Sequence, residues 1–482
     1  MTPPSVVTSM IAHDLVVQNM GATERERVDE MRFRYRLLYG EHERDVVEAL
    51  VCALGPERAA GQKFVDVAAN SYVQIHTQTS ALYTYTPRVR GPSVETVQAV
   101  ARTGHWERMN RVQRDVSGLR EAFILVSGGD NGKPLQTRVV LPHWFEAPRS
   151  RVDDCSQIAS IAVWLMHGDT PHRHYYQVED CDGLPAPLYR ETDAQGVTVS
   201  DLSGSAYPWR DNVGDPIIPG AMYHAAETGH LLDWRTGRDI ARGAVRLMVF
   251  YTGAGHVILD ASWAQRYAFN VDIDGQGVNA DGSRQVIMDP AVIMTGNTPP
   301  DTAGQPLVGA FPQPADPESV FRMLAMYSRQ LGASAGIRSP EATRTESDIR
   351  SGYSLAVSRE AVQELQATYA PVYRRADQQL LHVSACLLGE QSAGPEVWSI
   401  EYQALALDPS AFAAVLATVD KAISLDLMTP VQGQLMLYPW ITVEEAAARV
   451  AELAAIKAAR IATTALAPPA HTPKSADTEP PA

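Results

Sequence analysis

The chain has 482 residues, 45% of them apolar and 20% charged, an ordinary globular composition long enough for several packed units. No apolar run approaches the roughly 18 residues that a membrane span requires, and no basic-then-apolar leader opens the chain, so the expectation is a soluble, non-secreted protein without a membrane partner. With 56 acidic against 41 basic side chains, a net charge of −15, the chain is not an obvious DNA-gripping protein, because phosphate binding calls for basic excess on at least one face. The four cysteines, Cys52, Cys155, Cys181 and Cys386, form no CxxC pair and fit buried thiols better than zinc ligands or a disulfide framework.

Residues 1–22 lack sustained periodicity and read as a loose arm. From Glu24 the sequence reads as helix, with Val28, Met31, Tyr35 and Leu38 on one face and a break at Tyr39-Gly40. A second helix is predicted over 64–83, with Val67, Asn70, Val73 and Thr77 along it, closing on Leu82-Tyr83-x-x-x-Pro87. A third, over 94–118, leads into two β-rich runs, 123–126 and 137–141, around an Asn131-Gly132 turn, which predicts a hairpin. The glycines at that turn do not make a phosphate loop: only three residues separate Gly128 from Gly132, and Lys133 is followed by Pro134 where Ser or Thr is needed.

Two further strands are predicted at 158–165 and 173–178, separated by His167-Gly-Asp169-Thr-Pro-His172-Arg-His174. His172 and His174 would share a strand face, with Asp169 or Asp180 as oxygen ligands, which makes this the best metal candidate in the chain. A Gly/Pro turn holding solvated histidines is the competing reading. Residues 183–218 are rich in Gly, Pro, Asp and Ser and end in Pro216-Ile217-Ile218-Pro219.

A helix is predicted over 222–251, where Arg235, Arg238, Arg242 and Arg246 recur at steps of three, four and four and form one stripe. Such a stripe either pairs with Glu227, Asp233 and Asp239 on a solvated face or, in a ring of identical subunits, becomes stacked belts of charge. A turn-rich β-like segment follows, with a plausible hairpin turn at Asp281-Gly282. Its Asp272-Ile-Asp274-Gly275-Gln276-Gly277 run is no EF-hand loop, because the twelfth position is Ser283 where a Glu is required. Pro317 then opens an amphipathic helix to Leu331, with Val320, Leu324 and Tyr327 at helical spacing. The loop 332–350 carries glycines and charges of both signs.

After Ser351-Gly352-Tyr353-Ser354-Leu355 comes a long helical run in which Leu365, Tyr369, Val372, Ala376, Leu380, Val383 and Leu387 share a face. Pro371 inside it removes a backbone donor and crowds the carbonyl of Ala367, so the choice is one kinked helix or two shorter ones. A strand-like run at 396–406 follows. Beyond it lie a helix over 408–422 opened by Asp408-Pro409, an Ile423-Ser424 turn with a short helix, and a helix over 443–459 with Thr442 and Glu445 as a capping box. The tail from 465 is Pro-rich and reads as disordered.

The flexible loop followed by Ser351-Gly352-x-x-Leu355 and a long helix resembles the tunnel-loop and wing-helix region of portal proteins of tailed double-stranded DNA bacteriophages. The remaining chain falls into the same order. The first helix runs into Tyr39-Gly40, and Leu82-Tyr83-x-x-x-Pro87 follows the second. The hairpin ends on Leu141-Pro142, Ile218-Pro219 leads toward a helix, and Ile423-Ser424 marks a late turn. Ser354 stands where the family commonly has Ala, and the clip is placed by order alone.

The resemblance implies an α+β phage portal fold: mixed α/β wing, two-helix stem, small β-containing clip, long kinked spine helix and helical crown. The implied division is arm 1–22, N-terminal wing 23–219, stem helix 220–262, clip 263–316, second stem helix 317–331, tunnel loop 332–350, long kinked helix with wing return 351–408, crown 409–464 and tail 465–482. Arg338, Arg344 and Arg350 would be tunnel-loop contacts to DNA. The arginine stripe would lie at the channel wall or subunit boundary, Asp274, Gln276, Asp281 and Arg284 would present the clip, and Pro371 would mark the spine kink.

The implied protein is not an enzyme and takes no cofactor. It is a homo-oligomeric ring, most often of twelve subunits, at one capsid vertex of the virion, assembled in the host cytoplasm. Its partners would be the terminase large subunit, major capsid and scaffolding proteins, a head-completion or adaptor protein, and the double-stranded DNA passing through the channel during packaging and ejection. An acidic chain is compatible with a channel along which DNA slides. Two alternatives stand beside this reading: a metal-dependent hydrolase built on His167, His172 and His174, and another structural virion protein such as a head-tail adaptor or capsid component, the length and the long kinked helix arguing against an adaptor.

Overall fold

The computed structural model describes residues 22–56, 59, 65–80, 82–129, 133–151, 157–180, 183–226, 234–262, 266–269, 294–296, 307–310, 317–335, 352–402, 409–438 and 443–465. The chain divides into two compact units, Met1–Ile349 with Val357–Tyr402, and Arg350–Ala356 with Gln403–Ala482.

The first unit opens with α1 (Ala22–Tyr39) and α2 (Glu43–Leu54), broken at Gly40 as the sequence implies. Helix α3 covers only Ser71–Thr79, shorter than expected, because Asn70 is its cap and not a face residue. The Asn70 Oδ1 accepts from the backbone N–H groups of Tyr72 (3.1 Å) and Val73 (3.4 Å). The single helix expected over 94–118 is two, α4 (Val94–Arg102) and α5 (His105–Leu119), split at Thr103-Gly104. Strand β1 (Arg88–Arg90) precedes them.

The two strands of the predicted hairpin are present as β2 (Glu121–Ser127) and β3 (Gln136–Val140), paired antiparallel, while the Asn131-Gly132 turn expected between them lies outside the described residues. After β4 (Arg149–Ser150), β5 (Ile158–His167) and β6 (Thr170–Gln177) come two strands that the sequence reading missed, β7 (Leu188–Thr192) and β8 (Thr198–Ser203). These five form an antiparallel sheet in chain order. Where a helix was expected from 222, the chain instead forms β9 (Gly220–His224), which pairs antiparallel with β2 and completes a three-stranded sheet, β3-β2-β9.

Strand β2 is buried on both faces, and its alternation assigns each face a partner. Ala122, Ile124 and Val126, with Ala221 and Tyr223 of β9, pack with Met109, Val112 and Val116 of α5. Phe123 and Leu125, with Val140 and Met222, pack with Ile161, Val163 and Leu165 of β5 and with Tyr176 and Tyr189.

Helix α6 runs Arg238–Ser262, starting sixteen positions later than expected. Within the segment that follows, three short strands are described: β10 (Arg266–Phe269), β11 (Met294–Gly296) and β12 (Leu307–Ala310). They form a small sheet with β10 in the centre, parallel to β11 and antiparallel to β12. Helix α7 (Pro317–Ser334) matches its expected start.

The long helix α8 is continuous from Gly352 to Leu387 and carries Pro371 inside it, so the chain does not break into two helices there. Tyr373, Ala376, Leu380, Leu381 and Val383 lie in the core against α5 and β2. Asp377, fully buried among them, accepts three phenolic hydroxyls: Tyr83 at 2.7 Å, Tyr223 at 2.6 Å and Tyr402 at 2.7 Å. Segments far apart in sequence thus converge on one carboxylate. Gly129, after β2, holds the same helix from its other end. With φ at +88° it sits where a side chain is strained, and a Cβ there would come within 2.5 Å of the Leu387 carbonyl oxygen. Strand β13 (Ser399–Glu401) pairs antiparallel with β1 and closes the unit.

The second unit contains α9 (Pro409–Ser424), α10 (Pro430–Leu437) and α11 (Val443–Ala465). Helix α10 carries a full capping box made by Thr429 and Gln432. The box expected at Thr442 lies outside the described residues. Cys52 is exposed and Cys386 half-buried, both free thiols, so Cys52 departs from the expectation of buried thiols. Among the described residues no helix is long and apolar enough to cross a membrane.

Candidate functional site

Helices α6 and α7 pair through an unusually close crossing. A Cβ on Gly243 would lie 2.6 Å from Leu331 Cδ1, so only glycine admits that approach without the leucine moving. Farther along α6, Phe250 meets Tyr327 edge-on with ring centroids 5.7 Å apart, and Leu247 and Ala254 bury against Leu324. Contacts that advance along α6 retreat along α7, so the two helices are antiparallel. The segment between them carries the small β10-β11-β12 sheet.

The arginine stripe is anchored at one end. Arg235 lies before α6, three residues short of its first turn, and stacks over Trp234 with its guanidinium 5.2 Å from the ring centroid. Arg238 lies over the same ring at 5.4 Å, and approaches Glu30 of α1 at 3.2 Å and Glu26 at 3.6 Å. Arg242 reaches Glu30 at 3.9 Å while its side chain stays 62% exposed. Arg246 is exposed and has no partner among the described residues.

Among the described residues the partners are on α1, and Asp239, the one described acid of those named from the sequence, is not among them. Glu227 and Asp233 lie outside the described residues. Glu30 is itself held by the fully buried Arg34, whose Nε is 3.0 Å from Glu30 Oε1 and whose two terminal nitrogens donate to the carbonyls of Trp234 and Thr236. Sequence reading missed Glu26, Glu30 and Arg34, because a long-range ion pair leaves no local spacing signal. Arg338, Arg344 and Arg350, and Asp274, Gln276, Asp281 and Arg284, also lie outside the described residues.

The histidine candidate resolves differently from its expected form. The turn is only Gly168-Asp169, so His167 ends β5 while His172 and His174 lie within β6. In register, Val163 and Glu191 flank His174, and Leu165 flanks His172. The period-2 alternation puts Val163, Leu165, His167, His172, His174, Tyr189 and Glu191 on one face. One ligand atom from each of His167, His174 and Glu191 lies within 4.8 Å of the others.

The expected oxygen ligands do not join this group. Asp169 is in the exposed turn, and Asp180 Oδ1 accepts from the backbone N–H of Ala186 at 2.7 Å. Glu191 takes their place. Its Oε1 is 2.8 Å from His172 Nδ1, and His172 stacks on His167 at 4.6 Å between centroids.

His174 is 5% exposed, and burial lowers its pKa to about 4, with His167, His172 and Arg138 adding to the fall and Glu191 opposing it. Burial works to raise the Glu191 carboxyl, yet the His172 hydrogen bond and the neighbouring histidines outweigh it and hold its pKa below the ordinary value.

No family model matches the chain, and no curated protein matches it. Among solved structures, it is similar to a chain in the neck of a native gene transfer agent particle computed with C12 symmetry, at 11% identity and a TM-score of 0.43, covering 82% of this chain and 93% of the other. A chain in the neck of an empty gene transfer agent particle computed with C6 symmetry matches at 12% identity and a TM-score of 0.42, with 77% and 90% covered. A chain of the virion of a native particle matches at 12% identity and a TM-score of 0.38, with 77% and 89% covered.

Proposed function

We propose that this chain is the portal protein of a tailed double-stranded DNA phage or a phage-like particle. On this reading its subunits close into a ring of about twelve at one capsid vertex, through which DNA is packaged and later released. The observation that carries the reading is an order of elements. An antiparallel helix pair, α6 and α7, brackets an inserted small sheet, and the chain then enters a continuous 36-residue helix with a proline inside it. That is the stem, clip and spine order which the sequence motifs at Tyr39-Gly40, Leu141-Pro142 and Ser351-Gly352 suggest.

Exposed apolar side chains on α7 support assembly. Phe321, Met323 and Met326 are 44%, 67% and 63% exposed in the single chain, and a neighbouring copy would cover them. Within the ring, the anchored end of the arginine stripe fixes α6 to α1, while Arg242 and Arg246 remain for a neighbouring subunit or the channel. The loop bearing Arg338, Arg344 and Arg350 would approach DNA. The clip residues Asp274, Gln276, Asp281 and Arg284 would meet the terminase large subunit and, afterwards, the head-completion protein. Capsid and scaffolding proteins would surround the wing.

Native mass measurement of the purified full chain tests the assembly. A closed species near twelve times the 52.5 kDa subunit is the expected result, whereas a chain that stays monomeric or dimeric across concentration and salt speaks against it. Met323→Glu combined with Met326→Glu should shift the species toward smaller assemblies without loss of helical signal.

A further inference from the structure

We infer that the outer end of the five-stranded sheet binds one divalent transition metal of the zinc class, with His167, His174 and Glu191 as its protein ligands. The inference stands on the geometry of this cluster and is independent of whether the chain forms a ring.

The first observation is convergence. Three strands each contribute one donor, and the three donor atoms lie within 4.8 Å of one another. Zinc bonds of about 2.0–2.2 Å to nitrogen and oxygen set tetrahedral donor separations near 3.4 Å, so the widest pair must close by roughly an ångström. His167 can supply that movement, because it ends β5 at a two-residue hairpin turn and is exposed. Two imidazoles with a carboxylate suit zinc and its neighbours rather than calcium or magnesium, which take all-oxygen sets.

The second observation is an orphaned atom. His174 is 95% buried, yet its Nε2 has no hydrogen-bond partner. Its other nitrogen, Nδ1, is 2.9 Å from the Tyr189 hydroxyl, and that hydroxyl is 3.4 Å from Glu191 Oε2. If the tyrosine O–H donates to the carboxylate, its oxygen accepts from Nδ1–H, which leaves a lone pair on Nε2. This is the tautomer that ligates metal, set by a neighbour on the opposite ring nitrogen as metal-binding histidines ordinarily are. A buried nitrogen lone pair without a donor is costly, and a cation satisfies it.

His172 acts in support. Its Nδ1 bonds Glu191 Oε1 at 2.8 Å and its ring stacks on His167, so it orients both ligands. Arg138 of β3 is the nearby opposing charge, felt at His174. The carboxylate of Glu191 offsets it. A bound ion would tie the tip of the β5–β6 hairpin to β7 and leave a fourth position open to water.

The test uses the full chain without an affinity tag, stripped by a chelator and titrated with Zn²⁺ against a chromophoric competitor, with Co²⁺ absorption reporting tetrahedral coordination. One saturable site per chain is expected. His167→Ala, at an exposed position where folding is not at stake, should weaken it at least about tenfold. Tyr189→Phe, which removes only the group that sets the His174 tautomer, should weaken it by about 10–100-fold. The apo form of His167→Ala should unfold at the same temperature as the parent, whereas apo Tyr189→Phe, which also loses the bond to His174 Nδ1, should unfold at a lower one. No saturable Zn²⁺ binding overturns the inference, as does binding of unchanged affinity in both His167→Ala and Glu191→Gln.

Discussion

At the scale of single residues, the fold depends on a few buried polar groups whose partners come from distant segments. Asp377 is the clearest, with Tyr83, Tyr223 and Tyr402 all donating to one carboxylate. A hydrogen bond to a charged group is worth about 1.5–3 kcal/mol, and a buried hydroxyl left without an acceptor costs about 1–3 kcal/mol. Tyr402→Phe should therefore lower stability by roughly 2 kcal/mol, and Asp377→Ala by more than about 3 kcal/mol, read as the shift of the denaturant midpoint at unchanged slope. The buried histidines give the chain an acid sensitivity of defined sign. Burial lowers His174 to about 4 and His76 to about 3, with Arg34 and Arg120 adding to the fall at His76. Each binds a proton in the unfolded chain near pH 6.5 but resists it when folded. The unfolded state thus holds more protons below pH 6.5, so stability is complete above that value and is lost as pH falls toward 4. Unfolding in the presence of a chelator at successive pH values should show this decline, with a shallower slope in His174→Gln. Stability that is flat or rises from pH 6.5 to 4 would contradict the assignment.

At the scale of elements, the α6–α7 crossing is the contact most exposed to a single change. Gly243→Ala should be mild, because the obstructing atom is the end of the Leu331 side chain, whereas Gly243→Val should cost about 1–3 kcal/mol by forcing the helices apart. Thermal unfolding of the two variants side by side checks the graded effect. Elements with a strong period or a clear punctuation mark were legible in the sequence: the break at Gly40, the two strands of the β2–β3 hairpin and the proline start of α7, whereas the apolar period of α8 was legible but Pro371 left open whether it was one helix or two. Those that failed did so for local reasons. Strand β9 is a five-residue run, Gly-Ala-Met-Tyr-His, beside a helical pattern, too short for its period to speak against helix. Strands β7 and β8 were hidden by the Gly, Pro and Asp around them. That error also hid Glu191, since a carboxylate ligand from β7 becomes visible only once β7 is a strand registered against His174. The histidines themselves were legible, because alternate positions on a strand share a face. The Thr429-Pro-x-Gln432 box carried a capping signal in plain sequence that went unused.

At the scale of the whole molecule, three layers place the paired helices. The three-stranded sheet is packed on both faces, α8 fixes one side of it, and α1, α2 and α3 hold the base of α6, with Met31, Leu37, Val46 and Tyr72 clustered about Ala241 and Val245. The far part of α6 and the apolar side chains of α7 extend beyond that grip. An exposed Phe321 beside Met323 and Met326 is surface that the single chain leaves uncovered. The proposed ring would give it a neighbour and would give Arg246 either a partner or a channel to face. Electron microscopy of the purified full chain tests this most directly. The account predicts closed rings of about twelve copies around a central hole, with the α6–α7 pairs forming the collar that lines it and the five-stranded sheets farther out. Open or compact particles without a hole, or rings whose α6–α7 pairs lie on the outer rim, would contradict it.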